Sequence, residues 1–298
     1  ASTSCKETEK TALPADAFGF STGSDVSDLG AWAMGLEYNG AFTGNGFKPG
    51  TFASHLGKVQ LSTSFVPCWE VGPYFLATTA VGTNRGVIGD LETTTYGFGV
   101  ENKYKLLGRA THGVGLTLVF DPNYQSFRST NTQVTPNLRW SGDMLTSTYK
   151  VLLDKELIAG KLFGAVNVQW DQIWTERPGL VNPVAGTSDY ARNSVLTLSA
   201  ALAWQALDGF FVGAETRYVR THNGLFFNTT TGDALFVGPT AYWQVTKNIS
   251  ASGTWGVQVA GKAKFAVPAT TALNLLSSDL NLVTQPQHIA KFKIAVSF

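Results

Sequence analysis

From Ala290 to Phe298 the apolar residues occupy every second position: Ala290, Phe292, Ile294, Val296 and Phe298, with Lys291, Lys293, Ala295 and Ser297 between them. A period of two puts the two sets on opposite faces of an extended strand. The same alternation recurs from about residue 28 onward. Trp32, Met34, Leu36 and Tyr38 alternate with Ala33, Gly35, Glu37 and Asn39, and Tyr96, Phe98 and Val100 alternate with Gly97, Gly99 and Glu101. A hairpin runs through Leu235, Val237, Ala241, Trp243 and Val245, turns at Thr246-Lys247-Asn248, and returns through Ile249, Ala251, Trp255, Val257 and Val259. No apolar run approaches the ~18 residues that a membrane helix needs. Such a chain is expected to be all-β.

What the two faces meet follows from composition. Only 14% of the 298 residues are charged, well below the roughly 25% of a soluble domain. Aromatics reach 12%, with 31 Gly and eight Trp, yet mean hydropathy is +0.02. A wall with one face in lipid and the other on a polar interior averages out in this way. A soluble sandwich or lipocalin-like fold also alternates, but its outer face would carry Lys, Glu and Thr over an apolar core. Here the polar face is crowded with Gly, Ser and Thr, and the apolar face carries Trp and Tyr near strand ends, where membrane interfaces lie. The formal charge of +1 points to no nucleic-acid partner.

The alternating segments number about twelve. Short turns, such as Pro67-Cys68, Leu107-Gly108, Asp154-Lys155-Glu156 and Leu207-Asp208-Gly209, alternate with longer loops near 40–55, 80–90, 121–137, 176–190, 221–233 and 262–287. Residues 1–27 are polar and read as an N-terminal extension, with Ala1-Ser2-Thr3 as a start left after export. An even strand count with short turns at one end predicts an antiparallel up-and-down barrel over residues 28–298.

An alternating last strand that ends on Phe resembles the closing strand of Gram-negative outer-membrane β-barrels. Gly209-Phe-Phe-Val-Gly-Ala-Glu-Thr-Arg-Tyr and Ala234-Leu-Phe-Val-Gly-Pro-Thr resemble porin-like proteins of proteobacteria. The resemblance implies residence in the outer membrane among lipid and lipopolysaccharide, insertion by the barrel-assembly machinery, and both termini and all short turns in the periplasm. Cys68 would then lie in the first periplasmic turn and Cys5 in the periplasmic extension. An oxidising space suits a disulfide between them, which would pin residues 1–27 beneath or inside the lumen as a plug.

With the polar face as the lumen, Lys58, Lys103, Lys105, Arg109, Lys150, Lys161, Arg217, Lys291 and Lys293 are expected inside with Glu37, Glu70, Glu101, Asp171 and Glu215. These ions either pair off and brace the wall or, through their positive excess, line a pore that favours anions. Glu37 on the first strand is placed to meet Lys291 or Lys293 on the last. The loop 262–287 is oddly apolar, with Leu273, Leu276 and Leu280 near helical spacing, and is expected to fold onto the barrel mouth or to meet a protein partner.

Outer-membrane phospholipases pair a His with a Ser two residues away, and none of His55, His112, His222 and His288 has one. Lipid A-modifying barrels use His with Ser or Glu, and the sequence holds no convincing set. No enzyme activity, cofactor or metal is therefore expected. The leading expectation is passive passage of small polar or anionic solutes, and the alternative is a closed barrel whose loops bind a partner.

Overall fold

The computed structural model describes residues 17–43, 51–83, 91–131, 138–177, 189–264, 280–281 and 285–298. Twelve strands form one closed antiparallel barrel. In chain order they are β1 (Trp32–Thr43), β2 (Phe52–Val66), β3 (Trp69–Gly82), β4 (Leu91–Leu107), β5 (Gly115–Asn131), β6 (Leu138–Ile158), β7 (Leu162–Arg177), β8 (Asp189–Leu207), β9 (Phe210–Asn223), β10 (Thr229–Thr246), β11 (Ile249–Ala263) and β12 (His288–Ser297). Each strand pairs with its chain neighbours, and β12 closes on β1 through a register that sets Glu37 opposite Lys293 and Leu36 opposite Ile294. Closure leaves no strand edge with unpaired N–H and C=O groups, which a hydrocarbon environment would not tolerate.

The apolar set points outward. Trp32, Met34, Leu36 and Tyr38 are all exposed, as are Phe75, Phe98, Val166, Leu202 and Trp255. Exposure on this scale, 62% for Phe98 and 51% for Leu202, suits a surface bathed in acyl chains. Aromatic contacts gird the wall. Trp32 meets Phe65 near the short turns, and Phe120, Tyr149 and Trp170 form a run on β5–β7 with ring centroids 5.3 and 5.7 Å apart.

Three local expectations are corrected. The turn expected at Asp154-Lys155-Glu156 is strand: β6 continues to Ile158, because Asp154 is completely buried on the lumenal face and holds Arg109. The segment after Leu107-Gly108 forms a four-residue helix, α1 (Arg109–His112), closed by Gly113 at φ 72°. The expected loop 121–137 is mostly strand, since β5 carries Pro122 within it and reaches Asn131.

The interior is not empty. Residues 17–31 run inside the barrel at its short-turn end and lead into β1. Ala17 and Phe18 pack with Phe163, Ala165, Ala201, Ala203, Phe211 and Tyr242 in an apolar cluster on the inner wall of β7–β10. The chain then follows the wall past β6 and β3, and Gly30 N donates to the Ser64 carbonyl on β2 at 2.8 Å. Two glycines make room for it. A side chain at Gly19 would run into Thr254, and one at Gly115 into Ser24 and Asp154. Gly115→Val is therefore expected to push Ser24 off the wall while β5 stays paired. Limited proteolysis followed by mass spectrometry should find new cleavage within residues 17–28, and unchanged protection there would contradict the packing described.

Candidate functional site: the lumen and its inner segment

Four carboxylates hold the inner segment. Glu215 on β9 accepts the backbone N–H of Phe20 at 2.7 Å and that of Ser21. Asp154 on β6 accepts the N–H of Ser24, and Thr117 donates to the Ser24 carbonyl. Glu70 on β3 accepts both the N–H and the hydroxyl of Ser27, at 2.6 and 2.8 Å. The fourth, Asp25, belongs to the segment and receives Lys105 at 2.8 Å and Arg109. Arg109 also reaches Asp154 at 2.6 Å, so one buried guanidinium bridges segment and wall. Charge-assisted hydrogen bonds to backbone N–H groups are strong where water is scarce. A polar extension thus becomes an ordered part of the interior.

Beside the segment, three cavities lie along one side of the lumen. The first, about 410 Å³, lies at the short-turn end between Thr22–Ser27 and the inner faces of β1–β4 and β10–β12. The second, about 160 Å³, lies at mid-height among Phe20, Thr22, Glu37, Lys150, Arg217 and Lys291. The third, about 340 Å³, lies toward the long loops, where Leu56, Val195, Val219, Phe236 and Ile289 add apolar lining to Asn39, Asp171 and Arg217. Neighbouring cavities share lining residues: Thr22, Glu37, Lys150 and Lys291 between the first and second, and Phe20, Asn39, Thr197 and Arg217 between the second and third. The second is the smallest of the three.

The charges on this path are partly paired. Lys103 lies 3.0 Å from Glu70 and 3.4 Å from Glu101, Lys150 3.5 Å from Glu101, and Lys291 3.3 Å from Glu37. Lys58 sits 3.9 Å above the Tyr74 ring, and the Arg217 guanidinium 5.3 Å from the Phe20 ring. Asp171 accepts from Thr148 at 2.6 Å and from Gln169 at 2.9 Å. The three cavities together are lined by seven basic side chains and five acidic ones. The smallest cavity is lined by Lys150, Arg217 and Lys291 against Glu37, with Lys150 also held by Glu101 and Lys291 by Glu37.

The sequence-derived lumenal set divides accordingly. Lys58, Lys103, Lys150, Arg217, Lys291, Lys293, Glu37, Glu70, Glu101 and Asp171 line the cavities. Lys105, Arg109 and Glu215 are buried against the inner segment. Lys161 is corrected: it is exposed in the β6–β7 turn and lines none of these three cavities, because β6 extends further than its sequence suggests. Asp25 and Asp154 were missed. Asp25 lay in a segment read as an extension, and Asp154 in one read as a turn. Cys68 takes a left-handed backbone (φ 69°) in the β2–β3 turn and is not a free thiol. Cys5 lies outside the described residues.

At the far mouth, Gln258 on β11 donates to the carbonyls of Asn281 and Pro286 at 3.2 and 2.9 Å, and Asn281 donates to the Asp233 carbonyl at 3.0 Å. Asn281 is fully buried, so the described residues of the last loop fold inward onto β10 and β11. Leu273 and Leu276, read as a short helix with Leu280, lie outside the described residues.

The comparisons bear on the whole chain. The sequence profile described as "Family of unknown function (DUF6662)" matches residues 15–298, taking in part of the inner segment as well as the barrel. No curated protein matches. Among solved structures, the COG4313 outer membrane channel of Pseudomonas putida F1 superposes with a TM-score of 0.53 at 13% identity, covering 92% of this chain and 98% of that one. The beta domain of the Bordetella autotransporter Brka gives 0.62 at 11%, covering 91% and 100%. The translocator domain of the autotransporter NalP from Neisseria meningitidis gives 0.57 at 11%, covering 92% and 90%. At these identities the likeness is one of fold: a closed antiparallel β-barrel.

Proposed function

The chain belongs to the DUF6662 family, a family of unknown function, and from its lumen we propose that it is an outer-membrane channel for small polar solutes that favours anions. The observation that carries this reading is the smallest lumenal cavity, whose lining sets three cations against one carboxylate beside the inner segment. A solute crossing that point leaves bulk water and experiences the fixed charges at low screening. Anions gain there and cations lose. The upper cavity adds apolar wall, so anions with a small apolar body are the best fit.

On this reading the short turns and both termini lie in the periplasm and the long loops outside, the usual arrangement for such barrels. Cys68 then faces an oxidising space, and a bond to Cys5 would tie the start of the inner segment to the first turn. A permanently closed barrel is the competing reading, with loop 262–287 as a contact for a protein partner; the fastening of the inner segment at four carboxylates favours it. Planar-bilayer recording separates the two, since a closed barrel gives no steps.

Arg217→Glu leaves two cations against two carboxylates at the constriction. The reversal potential in a salt gradient is expected to move from the anion side to near zero or beyond. An unchanged reversal potential would place the selectivity, or the path, elsewhere.

A further inference from the structure

The outer wall at the long-loop end carries a polar cluster that the channel does not use. Trp170 on β7 and Arg220 on β9 lie outward on one rung with Leu196 between them, and Gln172, Ser194 and His222 lie outward on the next. The β9–β10 loop folds over them. Phe227 stacks on Trp170 with ring centroids 5.5 Å apart and meets the His222 ring at 5.1 Å, while Phe226 lies 5.6 Å from Trp170. Phe227 holds a left-handed backbone (φ 55°) to do so, a conformation that costs a bulky residue free energy and is retained where the surroundings enforce it.

Trp170 Nε1 and His222 Nδ1 beneath this cover, and Arg220 Nε on the rung of Trp170, are buried without a hydrogen-bond partner. His222 is only 5% exposed. Three unpartnered nitrogens on two adjacent rungs, two of them obligate donors, are unusual in a folded protein and call for an acceptor. The surrounding charge has the matching sign. The rest of the Arg220 side chain is exposed, and Lys262, across Asp233 on β11, points to solvent with Lys264 beyond it. Asp233 lies 3.8 Å from Arg220, too far for a strong pair, and the guanidinium otherwise rests 5.7 Å from the Tyr218 ring. Just below, Leu198, Leu202, Val212 and Val237 form the exposed apolar wall.

We infer that this cluster is a binding site for the phosphate of a phosphorylated glycolipid whose acyl chains lie along the wall of β7–β10. An ionic, hydrogen-bond-accepting headgroup directly above lipid-facing Leu and Val is the ligand that the juxtaposition fits. Arg220 and Trp170 donate to the phosphate, Lys262 and Lys264 complete its charge, and Phe226 and Phe227 cover the sugar. The inference rests on the reading that the long-loop end faces the outer leaflet.

The test is native mass spectrometry of delipidated protein in a neutral detergent, titrated separately with bisphosphorylated lipid A, phosphatidylglycerol and inorganic phosphate. Lipid A is expected to bind with defined stoichiometry and the other two weakly. Arg220→Gln and Trp170→Phe are each expected to weaken retention by about tenfold, the loss of a charge-assisted or buried hydrogen bond, and Arg220→Lys to lose less than Arg220→Gln. Equal retention by all variants would overturn the site, as would binding of inorganic phosphate alone, an adventitious ion only. A preference for phosphatidylglycerol would overturn the glycolipid assignment and with it the orientation. Bilayer recordings of the same variants keep the two readings apart: anion-selective steps with no lipid retention would sink this inference and leave the channel standing.

Discussion

A chain lacking residues 1–28 is expected to insert as a barrel and to conduct several-fold better than the full-length protein. The barrel's own contacts start at Trp32, which pairs with Thr63 on β2 and exchanges hydrogen bonds with Phe298. Nothing in the strand ladder depends on the inner segment. The segment does, however, set the bore. Phe20 and Thr22 line the smallest of the three lumenal cavities, and Thr22, Asp25, Val26 and Ser27 form one side of the largest of them. A twelve-stranded barrel is wider than the eight-stranded kind that side chains alone fill, so the segment accounts for much of the constriction. Its removal bares Asp154 and Glu215 but also Lys105 and Arg109, and takes Asp25 away, so anion preference is expected to persist as conductance rises. Single-channel steps in a planar bilayer, with a salt gradient, read both quantities. Unchanged step size would show that ions take no path past this segment. Recording the intact protein before and after reductant then asks whether a Cys5–Cys68 bond keeps the segment seated.

Arg109→Ala is expected to be the most damaging single substitution inside the barrel. The guanidinium lies in α1 at the short-turn end, almost wholly buried, between Asp25 of the segment and Asp154 of β6. Asp154 is itself completely buried and also holds the Ser24 N–H. Truncating Arg109 leaves two carboxylates facing each other, with Lys105 the one remaining cation on Asp25 among the described residues. Breaking a buried pair from one side costs about 3–5 kcal/mol, because an uncompensated charge stays behind. Part of that cost is avoided if the segment leaves the wall, so the effect divides between lower barrel stability and release of residues 17–28. Denaturant unfolding in detergent micelles measures the first and protease sensitivity the second. Arg109→Lys is expected to fall between wild type and Ala, since one ammonium cannot address both carboxylates as a planar fork does. If Arg109→Ala unfolds at the wild-type midpoint and its segment stays protected, the bridge contributes nothing.

The alternation of Trp32, Met34, Leu36 and Tyr38 with Ala33, Gly35, Glu37 and Asn39 was enough to set the facing of β1, and the same held for the other strands. Register parity is local: each residue points opposite to its neighbour whatever the rest of the chain does. The lumenal placement of Glu37, Glu101, Lys150, Arg217 and Lys291 follows from it directly. So does the meeting of Glu37 with Lys291, because a closed antiparallel barrel must set its last strand against its first.

The all-β class, the strand count and the inward facing of most charged wall residues, Lys161 and Asp154 excepted, were thus legible in the sequence, as consequences of a period that composition cannot disguise. It said nothing decisive about what fills the lumen. Ala17–Ser27 has no periodicity, since its partners are Glu215, Asp154 and Glu70 on three strands far along the chain. Asp154 looked like a turn residue because turns and buried ion pairs draw on the same side chains. The orphaned nitrogens around Phe227 were equally invisible, as Trp170, Arg220 and His222 come together only when β7, β8 and β9 lie side by side. Contacts between distant segments depend on which surfaces the closed wall brings together, and only the tertiary structure decided that.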